Sequence, residues 1–188
     1  VLYAGTCRGL SLEEIADKRK KRAPATRVRV PDEEISFTDG VFGEYRENLA
    51  KECGDFIIRR SDGVFAYQLA VTVDDGLSGV TEVVRGSDLI SSTPRQIWLY
   101  RLFGFEPPHF IHIPLLCDVD GRRLSKRDED LDLGLLRERF SPEQVIGALA
   151  FAAGLTESAA PVSAKELVPS FDWKRVPTHE LYLPPVFR

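Results

Sequence analysis

The stretch Val80-Thr81-Glu82-Val83-Val84-Arg85-Gly86-Ser87-Asp88, followed by Thr93-Pro94-Arg95-Gln96 and then Phe110-Ile111-His112-Ile113-Pro114-Leu115-Leu116, decides the reading of the fold. Val80, Val83 and Val84 are β-branched and suit a buried strand over 80–85. Thr93 offers a capping hydroxyl, Pro94 a residue pre-set for the first helical position, and Gln96 the partner that closes a capping box. The helix over 94–103 then stops at Gly104. The apolar run 110–116 is the next strand. Strand, helix, strand in that order indicates a parallel α/β sheet. Ligands of such sheets gather beyond the carboxyl ends of the strands. That points to two loops, Arg85-Gly86-Ser87-Asp88 and Asp118-Val119-Asp120-Gly121.

Upstream of this unit, Ser11 and Glu14 form a capping box for a helix over 12–22, with Pro24 just past its end. Arg27-Val28-Arg29-Val30 alternates as a half-buried strand does. Residues 31–43 read as a strand with turns, 45–53 as a short helix, and 56–60 as a strand closed by the turn Ser61-Asp62-Gly63. The apolar, partly β-branched run 65–73 reads as another buried, strand-like segment. Downstream, Ser141-Pro142-Glu143-Gln144 starts a helix that stops at Gly154, and Ser163 starts a shorter one before a proline-rich tail. The chain thus divides into 1–54, an α/β segment over 55–130, and a helical attachment over 131–188.

The 188 residues are 43% hydrophobic and 29% charged, ordinary for a globular protein with a sizeable core. The net charge of −4 argues against a generally nucleic-acid-coating protein, while a local basic patch can still meet a phosphate backbone. No apolar run approaches a membrane span and no signal peptide is visible, so a membrane location is not expected. Cys7, Cys53 and Cys117 are odd in number and far apart, which fits a reducing, cytoplasmic compartment. Cys53 and Cys117 read as small buried apolar residues. The chain starts at Val1 and contains no Met; processing or a missing upstream segment accounts for that.

Three groups of residues could carry chemistry. Arg122-Arg123-Leu124-Ser125-Lys126-Arg127 brings four cations after Asp120-Gly121, either as a solvated loop or as a clamp for developing charge on a triphosphate. Tyr67 and Arg85 lie in or beside apolar strand-like runs. A buried Arg needs an anion, either a substrate carboxylate held by the guanidinium fork or an internal partner among Asp74, Asp75 and Asp88. Tyr3 and Cys7 could ligate zinc, but two ligands do not make a site. His109 and His112 could touch a nucleotide, and packed, hydrogen-bonded histidines are the commoner case. Trp98 and Trp173 read as packing residues.

The ordered motifs Asp55-Phe56-Ile57-Ile58-Arg59-Arg60-Ser61-Asp62-Gly63, Ala66-Tyr67-Gln68-Leu69-Ala70-Val71, Val73-Asp74-Asp75, Gly79 through Leu89, Ser92-Thr93-Pro94-Arg95-Gln96 and His112-Ile113-Pro114-Leu115-Leu116 resemble glutamyl-tRNA synthetases. Arg123-Leu124-Ser125-Lys126-Arg127 resembles that family's KMSKS-type loop. The resemblance implies the carboxyl-terminal half of a class I, Rossmann-type nucleotide-binding fold. Residues 1–54 would be an inserted, acceptor-binding-like connective segment, and 131–188 a stem-contact-like attachment. It implies that Tyr67 and Arg85 bind glutamate, with Arg85 on a carboxylate, and that residues 123–127 bind ATP with Mg²⁺, Lys126 stabilising the triphosphate. Tyr3 and Cys7 match the last two ligands of a family zinc site whose other two, a Cys-x-Cys, would lie upstream. The ending of the chain about sixty residues past Arg127, Asp172-Trp173, Val176-Pro177, and Val71 where the longer synthetases often carry Asn resemble the short glutamyl-queuosine tRNA(Asp) synthetases. That implies a monomeric, cytoplasmic ligase that activates glutamate and transfers it to queuosine in tRNA(Asp). The alternatives are a truncated enzyme that charges tRNA(Glu) and a non-catalytic tRNA-binding module. The HIGH-type signature would precede Val1, so the 188 residues alone are expected to be inactive.

Overall fold

The computed structural model describes residues 2–118, 120–124, 132–182 and 184–187. In chain order the regular elements are α1 (Leu12–Lys21), β1 (Thr26–Val28), β2 (Glu34–Asp39), β3 (Gly43–Asn48), α2 (Leu49–Glu52), β4 (Phe56–Arg59), α3 (Tyr67–Ser78), β5 (Glu82–Gly86), α4 (Thr93–Phe103), β6 (His109–Ile113), β7 (Leu116–Cys117), α5 (Leu133–Arg139), α6 (Pro142–Ala152), α7 (Ala164–Leu167) and β8 (Leu181–Tyr182). They group into two compact units. One comprises Val1–Asp39, Gly43–Val83 and Leu89–Phe110, the other Gly40–Phe42, Val84–Asp88 and Ile111–Arg188.

In the first unit, β2 and β3 form an antiparallel hairpin in register from Glu34↔Asn48 to Asp39↔Gly43. The period of two puts Ile35, Phe37 and Asp39 on its inner face. β1 pairs antiparallel with β4, with an irregularity between Thr26 and Arg27. The core joins Val30, Ile35, Leu49, Phe56, Ile97, Leu99, Tyr100 and Phe110. α4 supplies Ile97, Leu99 and Tyr100 to that core and ends at Gly104, whose φ of 70° is the left-handed stop read from the sequence. α1 contributes no buried residue. Its start is fixed instead by the expected box: the Glu14 amide donates to Ser11 Oγ at 3.2 Å and the Ser11 amide to Glu14 Oε2 at 2.8 Å.

The second unit is built around Leu136 on α5, Ala148 on α6 and Phe187, with Leu116, Leu124, Phe140, Val145 and Leu149 packed at their edges. Phe140 meets Phe187 edge-on, ring centres 5.5 Å apart. α6 and α7 start on the boxes expected at Ser141 and Ser163. β8 returns to pair parallel with β7, Leu116 opposite Leu181.

Strand, helix and strand follow one another as expected: β5 and β6 are hydrogen-bonded neighbours with α4 between them in sequence. Five local readings change. The buried strand expected over 80–85 begins at Glu82, and Val84 in it is 51% exposed. The run 65–73 is not a strand; Tyr67–Ser78 is helix α3, closed by Gly79 at φ 68°. Thr72 is tolerated inside it because its hydroxyl donates back to the Gln68 carbonyl at 2.8 Å. Thr93 is not a cap. A 3-10 turn over Ser87–Ser92 runs directly into α4, so the cap position falls to Ser92, whose helical backbone (ψ −23°) cannot present a capping hydroxyl. The strand expected over 110–116 is split into β6 and β7 around Pro114, which has no amide to donate. Of the helix expected over 45–53, the first part is β3 and only Leu49–Glu52 is helical.

Candidate active site

Arg85 sits near the carboxyl end of β5 and His112 on β6. Arg85 Nε donates to His112 Nε2 at 3.0 Å. His112 is 0% exposed, whereas Arg85 is only partly buried. Gly86 follows and ends β5; a Cβ there would come within 2.6 Å of Asp88 Oδ1 and 3.1 Å of Leu115 Cδ2, so a larger residue would have to displace the Asp88 side chain. Asp88, one of the internal partners considered for Arg85, pairs with Arg123 instead, Nη1 to Oδ2 at 2.8 Å. That ion pair links the loop after β5 to the loop after β7.

The described part of the second loop is a tied turn. The Asp118 carboxylate accepts from the Asp120 amide at 3.0 Å and the Arg122 amide at 2.8 Å. It also pairs with Arg122 Nε at 2.9 Å. The Asp118 amide donates to the Arg122 carbonyl, and Gly121 supplies the positive φ (79°) that closes the turn. Arg123 bridges back to Cys117, and the Leu124 amide reaches the Leu116 carbonyl at 3.4 Å. Arg123 and Leu124 are therefore presented from a hairpin. Ser125, Lys126 and Arg127 lie outside the described residues.

Tyr67 opens α3 with its side chain 56% exposed. The entry to the helix is held twice. The Ala66 amide donates to the Ile58 carbonyl at 2.9 Å, and Gln96 Nε2, on buried Gln96 of α4, donates to Gln68 Oε1 at 2.8 Å. Nothing local marks the Gln96–Gln68 contact, since the pattern Thr93-Pro94-Arg95-Gln96 assigns Gln96 to a capping box.

Tyr3 and Cys7 do come together. The Cys7 amide donates to the Tyr3 hydroxyl at 2.8 Å across the turn at Gly5. Arg27 stacks 4.3 Å over the Tyr3 ring. Hydrogen bonds from Tyr3 and then Thr6 hold the exposed Cys7 thiol below its ordinary pKa, which favours the thiolate a metal needs. Among the described residues no group of three or more His, Cys, Asp or Glu converges on a metal position. Two such side chains fall short of the four ligands that structural zinc takes. Cys53 and Cys117 fit the apolar reading: burial pushes Cys53 up to about 11 and raises Cys117 as well.

Beside Tyr3, a cavity of about 790 Å³ is lined by Arg8, Lys18, Arg19, Arg27 and Arg29 among others. Its anchor is Asp55, which sequence reasoning missed. Arg8 grips the Asp55 carboxylate at 2.8 and 2.5 Å, and the Val30 amide donates to it at 3.1 Å. Burial pushes this carboxyl up, but the hydrogen bonds from Arg8 and Val30 outweigh it, and the net shift is downward.

Residues 2–180 match the family model for the catalytic domain of class I tRNA synthetases (E and Q). The chain belongs to that family. Two curated relatives are glutamyl-Q tRNA(Asp) synthetases, from Nitratidesulfovibrio vulgaris (47% identical) and Symbiobacterium thermophilum (48%). Each alignment covers 97% of this chain and 57% of the relative, so the chain spans little more than half of their length. Among solved structures, a glutamate tRNA ligase from Elizabethkingia meningosepticum aligns over 96% of this synthetase chain and 41% of its own, with TM-score 0.77 and 24% identity. A glutamate-tRNA synthetase from Elizabethkingia anophelis aligns over 98% and 43%, with TM-score 0.80 and 24% identity. At that identity the two confirm the class I fold and nothing finer.

Proposed function

We propose that this chain carries part of the active site of an enzyme that activates glutamate with ATP and transfers it to queuosine in tRNA(Asp). The observation that carries the reading is Arg85, held near the carboxyl end of its strand by a buried histidine, beside a loop in which Arg123 is already fixed to Asp88. A guanidinium so placed is suited to a carboxylate. The names of the relatives at 47% and 48% identity favour tRNA(Asp) as the acceptor.

In this reading Arg85 and Tyr67 bind glutamate, and residues 123–127 bind ATP, which carries Mg²⁺. The α-carboxylate of glutamate attacks the α-phosphate of ATP, forming glutamyl-AMP and releasing pyrophosphate. Lys126 stabilises charge on the departing pyrophosphate, and the protein otherwise positions the reactants. A hydroxyl of the queuosine ring then attacks the activated carbonyl, and AMP leaves. Tyr3 and Cys7 supply two ligands for a zinc ion, which would stiffen the 1–54 segment. The protein works as a monomer in the cytoplasm, where tRNA is available.

The test is glutamate-dependent ATP–pyrophosphate exchange by the full-length gene product, followed by transfer of labelled glutamate to queuosine-containing tRNA(Asp) and to tRNA(Glu). Exchange without tRNA, then labelling of tRNA(Asp) alone, supports the proposal. Labelling of tRNA(Glu) selects the ordinary charging reaction, and tRNA binding without exchange selects a non-catalytic module. Lys126→Ala lowers the exchange rate by about a hundredfold or more if the loop stabilises the transition state. A change of only a few-fold removes the loop assignment.

A further inference from the structure

We infer that His112 is a positioning residue for Arg85, a neutral imidazole acceptor that orients the guanidinium without adding negative charge. The inference rests on the reading of Arg85 as the group that binds the substrate carboxylate.

The chemistry of the bond fixes the state of the ring. An arginine cannot give up its proton in a protein, so Nε is the donor and His112 Nε2 must present its lone pair. The single ring proton then sits on Nδ1 and the imidazole is neutral. His112 is 0% exposed, so the acceptor side of the bond is closed to water, and removing the ring takes away an oriented acceptor for the Arg85 Nε–H. The contact also has a direction. It engages Nε, on the inner side of the guanidinium, and so sets the roll of the plane that a carboxylate must meet edge-on with two parallel bonds.

The choice of acceptor matters as much as its place. A carboxylate at position 112 would hold Arg85 at least as firmly, but as an ion pair competing with the substrate's own carboxylate. A neutral imidazole orients the cation without adding a negative charge of its own. Asp88, three residues after Arg85, pairs with Arg123.

The test uses His112→Gln, His112→Leu and His112→Glu in the full-length gene product, with KM and kcat for glutamate and KM for ATP read from pyrophosphate exchange. A second arm records the ¹⁵N signature of the His112 ring in the wild-type protein. Loss of a part-buried bond to a charged group predicts a glutamate KM about ten- to hundredfold higher in His112→Leu, with kcat and the ATP KM within about threefold. His112→Gln keeps an acceptor and recovers most of the affinity. His112→Glu folds with an ion pair and loses more affinity than His112→Leu. The ring signature shows Nδ1 protonated and Nε2 bare. The inference is overturned if His112→Leu and His112→Glu leave the glutamate KM within about twofold of wild type, or raise the ATP KM equally. It is also overturned if Nε2 carries a proton in the wild-type ring. Should the wild-type protein show no exchange with glutamate, the functional reading fails, and the ring signature still decides whether His112 is the acceptor. Should the variants not fold, the same signature decides it.

Discussion

The two units of the molecule are stabilised differently. Among the described residues, the first has a core of large side chains, with Ile35, Leu49, Leu99 and Tyr100 almost wholly removed from water. The buried centre of the second is Leu136, Ala148 and Phe187, and the rest of its apolar packing is only partly covered. In its place the second unit relies on tied loops: the Asp118 turn, the Arg123–Asp88 ion pair and the Arg85–His112 bond. Arg85, Asp88 and Arg123 belong to the second unit. A large core contributes stability in proportion to the apolar area it buries, whereas hydrogen-bonded loops contribute less but fix particular atoms. Placing donors and cations for a ligand calls for the latter.

The largest expected effect tests the core side of this contrast. Leu99, 1% exposed, lies in the middle of α4, and Leu99→Ala removes its contacts and leaves a cavity, at a cost of about 2–5 kcal/mol. Leu136→Ala falls toward the lower end of that range, because its surroundings are partly open and can relax. Equal losses in chemical denaturation would erase the distinction. The next effect tests fit in the second unit. A Cβ on Gly147 would stand 2.1 Å from the Ala160 carbonyl oxygen and 2.9 Å from its carbon, both backbone atoms. Gly147→Ala therefore forces α6 away from the following chain and costs about 1–3 kcal/mol. An unchanged melting curve would mean that this segment is not packed as described.

Electrostatics sharpens the comparison further. Asp55 ties Arg8 to the Val30 amide in the first unit, and its pKa is lower in the folded state than in the unfolded one. Its contribution is thus fully present above the ordinary Asp value of about 4 and is lost as pH falls through the folded value. Asp55→Asn should lower the denaturation midpoint at neutral pH, and the gap from wild type should close progressively below about pH 4. A gap that stays constant into acid would show that the carboxylate charge contributes nothing and only its shape matters.

What could be read from the sequence divides along the same physical lines. The boxes at Ser11, Ser141 and Ser163 were legible because donor and acceptor lie three residues apart. So was the stop at Gly104. The places of Arg85, Arg122 and Arg123 after strands were legible, and so was the nearness of Tyr3 to Cys7, four residues apart. The helix beginning at Tyr67 was not legible, because its apolar run suits a buried strand and the Thr72 back-bond that permits a helix is a local detail. Thr93 misled for a related reason: a capping pattern loses its meaning when a helical turn already precedes it. β8 could not be read at all, since a two-residue strand is defined only by its partner, here Leu116 opposite Leu181. The Asp88–Arg123 and Arg85–His112 pairings are likewise long-range, and the sequence named their members without naming the pairs.

The smallest effect separates a local device from the packing around it. α1 and α6 begin with the same box, but α1 has no buried residue whereas α6 buries Gly147, Ala148 and Ala150. Removing the hydroxyl leaves the amide at the third helical position without its acceptor in both, at a typical cost of about 1 kcal/mol where the helix start is coupled to global folding. In Ser141→Ala that loss should register in the global unfolding midpoint, because α6 cannot fray without uncovering core. In Ser11→Ala it should appear mainly as faster amide exchange in the first turn of α1, with the global midpoint nearly unchanged, because α1 can open locally. If Ser11→Ala lowered the midpoint as much as Ser141→Ala, α1 would be coupled to the fold through contacts other than its buried surface. The basic cavity that α1 borders, with Lys18 and Arg19 in its lining, would then be a structural part of the first unit and not a surface laid upon it.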